Sequence, residues 1–223
     1  MHDARFFPFT ALPRPGGSLA FPSVPQITAQ RLIVRVRPWG AGDDALAATG
    51  VLHRAYRPQV EAGLRPLAGR QCADTTARRL QNATPILAEG LLPEPSPHRR
   101  TPRPVSAHAT AAEPPPATRL AGVILLDELE EAAFPPLFKE FGVAHFSMFA
   151  VEPELQGLGI GARLLEEVER RATQSGRATL ACSMAGPDTA LRDWYLRRGY
   201  TVRATWQWPY TNYESLILAK DLA

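Results

Sequence analysis

The segment Val151–Leu165 (V-E-P-E-L-Q-G-L-G-I-G-A-R-L-L) concentrates more chemistry than any other part of the chain. It joins a strand-like run to a helix-like run through Gly157, Gly159 and Gly161. Glycine lets the backbone approach a ligand closely and adopt positive φ. The first N–H groups of a helix lack internal partners, and the helix dipole favours an anion there by about 0.3–1 kcal/mol. Each hydrogen bond to a charged group adds roughly 1.5–3 kcal/mol. Such a turn is suited to hold a pyrophosphate. The same glycines would also serve a turn that is merely tight. A dinucleotide fold is a poor match: its fingerprint is G-x-G-x-x-G with an acid about 20 residues on. Here the spacing is G-x-G-x-G, and Gly176–Thr179 carries no acid.

Other residues are equipped to move protons. Tyr195 lies in L-R-D-W-Y-L-R-R-G-Y (Leu191–Tyr200). It is a hydroxyl donor, and it also shares a helix face with Leu191 and Trp194, as a core residue would. His145 is the one histidine within a core-strand pattern. Histidine titrates near neutrality and can act as a base, or it can be a hydrogen-bonded structural residue. The acidic run Asp127–Glu131 reads as an exposed loop that would also attract a cationic amine. Trp206–Tyr213 (W-Q-W-P-Y-T-N-Y) is rich in aromatics with polar tips, suited to a small-molecule pocket or a hairpin tip.

These groups need a scaffold, and the remaining sequence alternates strand and helix patterns. Strands are expected at Leu32–Val36, Pro85–Ala88, Leu120–Leu126, Ala144–Val151, Ala178–Ser183, Tyr200–Trp206 and Glu214–Ala219. A helix capped by Asp43 or Asp44 runs to about Arg57, and Thr75–Gln81 forms a second. Ile160, Leu164, Leu165, Val168 and Ala172 mark one face of a third, ending near Gln174 and Gly176. Its surface pairs Glu166 and Glu167 with Arg170 and Arg171, four residues on. Pro187–Asp188 opens a fourth that ends at Gly199. This order describes one α/β (α+β) domain over residues 28–223. Proline interrupts it twice: five of the 22 prolines lie in residues 8–25 and eight in 93–116. Residues 1–27 read as a loose N-terminal arm and 93–117 as a Pro/Arg/Ala-rich surface insertion.

With these residues placed, a family emerges. Gln156, Gly159 and Gly161 fill the fixed positions of the pyrophosphate motif Q/R-x-x-G-x-G/A of the GNAT acetyltransferases. Val151 and Pro153 precede it, and Leu191–Tyr200 resembles the second family motif, an aromatic-Tyr pair followed by Gly-aromatic. The resemblance spans about residues 30–221, most closely 145–221. It implies a mixed, mostly antiparallel sheet of about seven strands with four helices, splayed between the fourth and fifth strands. It implies acetyl-CoA as co-substrate, held by Phe149, Ala150, Val151, Gln156, Gly157, Leu158, Gly159, Ile160 and Gly161, with no metal. It further implies direct attack of an amine on the thioester. The Val151 N–H would polarise the thioester carbonyl and Tyr195 would protonate the leaving thiolate. Some relatives carry a glutamate base six residues before the end of the fourth strand; His145 stands at that spacing. Many relatives have an asparagine seven residues before the tyrosine. Here it is Asp188, which reads as a helix N-cap. The expected acceptor is a small-molecule primary amine; a protein amine or a non-catalytic acyl-CoA-binding module is the alternative.

Bulk composition agrees with a globular domain: 45% hydrophobic residues and a net charge of only +3. That charge gives no reason to expect nucleic acid or a membrane surface as partner. Cys72 and Cys182 stand far apart and read as reduced thiols. The N-terminus lacks the layout of a secretory signal, so cytoplasm is the expected location. Monomer and homodimer are both compatible with the sequence.

Overall fold

The structure is a computed structural model, and it describes residues 33–91, 118–128 and 134–222. The N-terminal arm (1–27) and the insertion (93–117) lie outside the described residues. The elements follow the expected order: β1 (Ile33–Pro38), α1 (Ala45–Glu61), α2 (Ala73–Gln81), β2 (Thr84–Leu91), β3 (Thr118–Leu126), β4 (Val143–Val151), α3 (Ile160–Gln174), β5 (Thr179–Ala185), α4 (Thr189–Leu196), β6 (Thr201–Trp206) and β7 (Ser215–Asp221). Among the described residues seven strands form one sheet in the order β1-β2-β3-β4-β5-β7-β6. β4 and β5 run parallel and every other neighbouring pair is antiparallel.

Alternation along the strands divides the core into two layers. Ile86, Ala88, Ile124, Leu126 and Phe146 face α3, which buries Ile160, Leu164, Leu165, Val168 and Ala172. Burial of each large aliphatic contributes roughly 1.5–3 kcal/mol before chain entropy is set against it. Leu87, Val123, Leu125, Met148 and Ala150 face the other way, against Ala48, Val51 and Leu52 of α1 and Leu80 of α2.

The caps are largely the expected ones. The Asp44 carboxylate accepts the Leu46 N–H at 2.8 Å and starts α1. Asp188 accepts the Leu191 N–H at 3.0 Å and starts α4. α1 runs one turn past Arg57 to Glu61, with Pro58 inside it. Proline removes one helix hydrogen bond, yet the helix continues through it. On α3 the ion pairs centre on Glu167, which binds both Arg170 and Arg171 at 2.6 and 2.7 Å.

One irregularity positions the site. Val123 pairs with Ala150 and Leu125 with Ser147, so β4 carries an extra residue there. Met148 absorbs it with φ 47°. Bulges of this kind bend a strand and re-aim its side chains, often beside active sites.

Candidate active site

The ladder between β4 and β5 is short. Val143–Phe146 lie beside Thr179–Cys182, and the pairing stops there. β4 continues to Val151 and β5 to Ala185, so the strands part beyond Phe146. A cavity of about 870 Å³ occupies the gap. Gly157, Gly159 and Gly161 line it, as do Phe149–Val151 and Tyr195, and so do His145, Ser147 and Trp208.

The glycine turn has the conformation its composition suggests. Gly157 and Gly159 take φ of 80° and 82°, and a Cβ on either would meet no protein atom within 4 Å. The backbone therefore borders open space. Gly159 is the residue before the first turn of α3, and no side chain caps that turn among the described residues. Its first N–H groups therefore have no side-chain partner there, the condition under which a helix N-terminus can take an anion. Gly161 is close-packed, with its Cβ position 3.3 Å from Phe149 Cζ and 3.8 Å from Trp194 Cζ2. The exposed Gln156 side chain ties the turn to the strand, its Nε2 donating to the Val151 carbonyl at 3.1 Å. Glu152 anchors the approach to the turn. It is buried, takes both Arg54 Nε (2.7 Å) and Arg54 Nη2 (3.0 Å), and accepts from Arg119 at 3.2 Å.

Backbone direction at the end of β4 follows from one bond. Glu152 N–H donates to Ala121 O of β3 at 2.8 Å. Successive N–H groups of a strand point to opposite sides. The Val151 N–H therefore points away from β3, into the gap left by β5. On the same edge the Tyr56 hydroxyl donates to Phe149 O at 3.3 Å.

Tyr195 is buried at the floor of the gap. Burial, reinforced by the neighbouring Cys182, Tyr56 and Tyr200, holds its hydroxyl well above the ordinary phenol range, so it stays protonated. Cys182 of β5 neighbours that hydroxyl, and burial pushes its thiol up. Tyr195 also contacts Trp194, Phe146 and Tyr200. It is thus a core residue and a cavity-lining donor at once.

His145 lies at the opposite end. Its ring is buried and stacked on Phe138 (centroids 4.8 Å apart, 8° between planes), with Phe134 at 5.1 Å. Its Nδ1 is 3.9 Å from Asp127 Oδ1, beyond hydrogen-bond reach, and Asp127 instead accepts the His145 backbone N–H at 3.1 Å. Beside it, Glu128 is held by Arg79 in a two-point ion pair (2.6 and 2.8 Å) and by the Ser147 hydroxyl at 2.8 Å. Burial pushes the Glu128 carboxyl up, but Arg79 and Ser147 outweigh it and leave it below the usual range. Within the acidic run, Glu128 is therefore neutralised in place; residues 129–131 lie outside the described residues.

The loop after α1 meets the aromatic-rich segment Trp206–Tyr213 here. Asn212 of the β6–β7 loop accepts from Arg65 N at 2.8 Å and donates to Gly63 O at 2.9 Å. Arg70 donates to Tyr210 O, and Trp208 Nε1 is fixed to Ser183 Oγ at 2.8 Å. The loop after α1 is thereby tied to the last hairpin across that end of the cavity.

The structure brings Tyr195, Phe149–Val151 and the Gln156–Gly161 turn to one cavity with His145. Leu158 is exposed at the turn's tip and does not line the cavity. Asp188 caps α4 and also accepts from Gln59 at 2.8 Å. Sequence reasoning missed Arg79, Ser147 and Arg198. Each comes from an element whose period identifies it only as a helix or strand residue. Only the R-R pairs within α2 and just after α4 hinted at cations near the site.

A family model described as acetyltransferase (GNAT) domain matches residues 117–202. A comparison with curated proteins finds no match. Solved structures share the fold at low identity. The ribosomal-protein-S18-alanine N-acetyltransferase of Escherichia coli is 14% identical with a TM-score of 0.54, covering 86% of this chain and 95% of that one. The ribosomal-protein-alanine N-acetyltransferase of Brucella melitensis is 16% identical with a TM-score of 0.52, covering 84% and 99%. A Salmonella typhimurium protein solved with its cofactor acetyl-CoA is 15% identical with a TM-score of 0.52, covering 86% and 95%. At such identities the solved structures speak for the fold, while the family match runs from β3 to the start of β6 and so includes the glycine turn and Tyr195. Over residues 117–202 the chain matches the GNAT acetyltransferase domain, and that match together with the shared fold supports an acyltransferase.

Proposed function

We propose that the protein transfers the acetyl group of acetyl-CoA directly to the primary amine of a small molecule. The observation that carries this is one cavity with two differently built ends. A helix N-terminus without a side-chain cap lies at one end and a loop-tied aromatic chamber at the other, with the open edge of β4 between them. In this reading the Gln156–Gly161 turn holds the pyrophosphate and the Phe149–Val151 edge pairs with the pantetheine arm. The Val151 N–H polarises the thioester carbonyl, where charge develops. The amine nitrogen attacks that carbon and the C–S bond breaks. Tyr195 O–H, kept protonated by its burial, gives its proton to the leaving sulfur. His145 takes the proton the amine must lose, directly or through water. A lysine-type amine of pKa about 10.4 needs about 4.6 kcal/mol to be deprotonated at pH 7, an α-amine only about 1–1.4.

The tie between the α1–α2 loop and the last hairpin favours a small acceptor over a protein segment. Thiol release from acetyl-CoA in the presence of pooled amines tests this, with arms for amino acids, polyamines, aminoglycosides, arylalkylamines and short peptides. Release that depends on a small amine and is lost in Tyr195→Phe supports the reading. Release with peptides alone transfers the function to protein acetylation. Binding of acetyl-CoA without release from any pool overturns catalysis by this chain.

A further inference from the structure

The glycine turn supplies N–H dipoles but no formal positive charge, whereas the nucleotide end of an acyl-CoA carries several negative charges. Among the described residues three arginines line the cavity: Arg78, Arg79 and Arg198. Arg79 is committed to Glu128. Arg78 stands on α2, beside Arg79 at the acceptor end. Arg198 alone follows α4, the helix whose Trp194 touches the first turn of α3.

Arg198 is held in an unusual way for a helix-end arginine. Its guanidinium carbon lies 3.6 Å from the centroid of the Trp194 ring. Its Nη1 donates to Trp194 O at 3.1 Å. Among the described residues no carboxylate pairs with it, although Arg192 of the same helix is paired with Asp193 at 2.9 Å. The indole is itself wedged in place, with Cζ2 3.8 Å from the Gly161 Cβ position and its ring 5.8 Å from Phe149. A guanidinium is planar, weakly hydrated and rich in N–H donors, so one face can rest on an indole while its edge binds phosphate oxygens.

We propose that Arg198, carried on Trp194, is the cation that recognises a phosphate group of the nucleotide end of the thioester donor. This rests on the acyl-CoA reading above and deepens it. The chain then selects a nucleotide-bearing donor over the same acyl group on pantetheine alone. Either the pyrophosphate or the 3′-phosphate presents the required chemistry.

The test is the calorimetric affinity of the full chain for acetyl-CoA, 3′-dephospho-acetyl-CoA and acetyl-pantetheine. It is run on the wild type, Arg198→Ala and Arg198→Gln, with thermal melts to confirm folding. Arg198→Gln keeps a side chain to pack on the indole and removes only the charge. Both variants are expected to bind acetyl-CoA roughly 10–100-fold more weakly, the worth of a charge-assisted contact. Their affinity for acetyl-pantetheine is expected to equal that of the wild type. The salt dependence of acetyl-CoA binding is expected to flatten in both. A loss that persists with the dephospho form assigns the contact to the pyrophosphate, and a loss confined to acetyl-CoA assigns it to the 3′-phosphate. Unchanged acetyl-CoA affinity in folded variants, or an equal loss for all three donors, overturns the proposal. A wild type that binds neither phosphate-bearing donor overturns the acyl-CoA reading together with it.

Discussion

Replacing Gly159 by alanine separates a binding turn from one that is merely tight. Its φ is 82°, and the added Cβ meets nothing in the protein within 4 Å. The cost to the fold is therefore conformational: about 1–2 kcal/mol for an L residue in the left-handed region. Lower entropy of the unfolded chain offsets roughly 0.4–1 kcal/mol of that. A net loss near 1 kcal/mol lowers Tm by about 2–4 °C in a chain of this size. Gly122→Ala is the contrast. Its Cβ would sit 2.8 Å from Ala150 O and 2.9 Å from Leu164 Cδ1, where α3 presses on the sheet. Backbone must move, at about 1–3 kcal/mol or more. Thermal melts and acetyl-CoA titrations on both variants check this. Gly159→Ala is expected to lose about 10–100-fold in affinity, the worth of one spoiled N–H contact to phosphate, with Tm nearly intact. Gly122→Ala is expected to lose stability and, where it remains folded, to keep its affinity. Wild-type affinity in Gly159→Ala refutes the assignment of the turn to the phosphates, because nothing else occupies the space its Cβ would fill.

Three further outcomes follow from the same geometry. Tyr195→Phe should lower turnover by about 10²–10⁴ with little change in acetyl-CoA affinity. In the wild type its raised pKa keeps the proton in place, so a basic limb below pH 10 that vanishes in Tyr195→Phe counts against its role as the acid. Asn212→Ala removes both bonds between the last hairpin and the loop after α1, each worth about 0.5–1.5 kcal/mol. Steady-state kinetics should show a higher KM for the amine with the KM for acetyl-CoA unmoved; equal shifts in both would show that the tie does not shape the acceptor end. On α3, Arg170 and then Arg171 hold the Glu167 carboxyl at about 2, below its ordinary 4.5. Its folded-state value is depressed, so its stabilisation is complete above about pH 4.5 and fades as pH falls toward 2. The pairs are solvent-screened and worth at most about 1 kcal/mol. Acid melts of Glu167→Gln should lack that increment, and identical acid profiles would show the pairs to be energetically silent.

Much of this was legible in the sequence because it is local. Glycine spacing, the apolar period of Ile160–Ala172 and the Asp44 and Asp188 caps each act within a few residues, so the strand-turn-helix unit and the element order could be read directly. The pairing of Gln156, Gly159 and Gly161 with Tyr195 pointed to the family before any coordinates. What local pattern does not contain is the distance between elements. The parting of β4 from β5 beyond Phe146 depends on where a parallel ladder stops and on the extra residue that Met148 absorbs at positive φ. The neutralisation of Glu128 by Arg79 joins residues 49 positions apart, and Glu152 meets Arg54 across 98. Tyr195 could be assigned to the core or to catalysis from its helix face alone. Only the fold sets it beside Cys182 with its hydroxyl at the cavity. The sequence by itself determined the glycine turn and its scaffold, since backbone conformation and helix ends are set by neighbouring residues. The tertiary structure decided the cavity and its charges, since sheet register and side-chain pairing are properties of segments brought together across the chain.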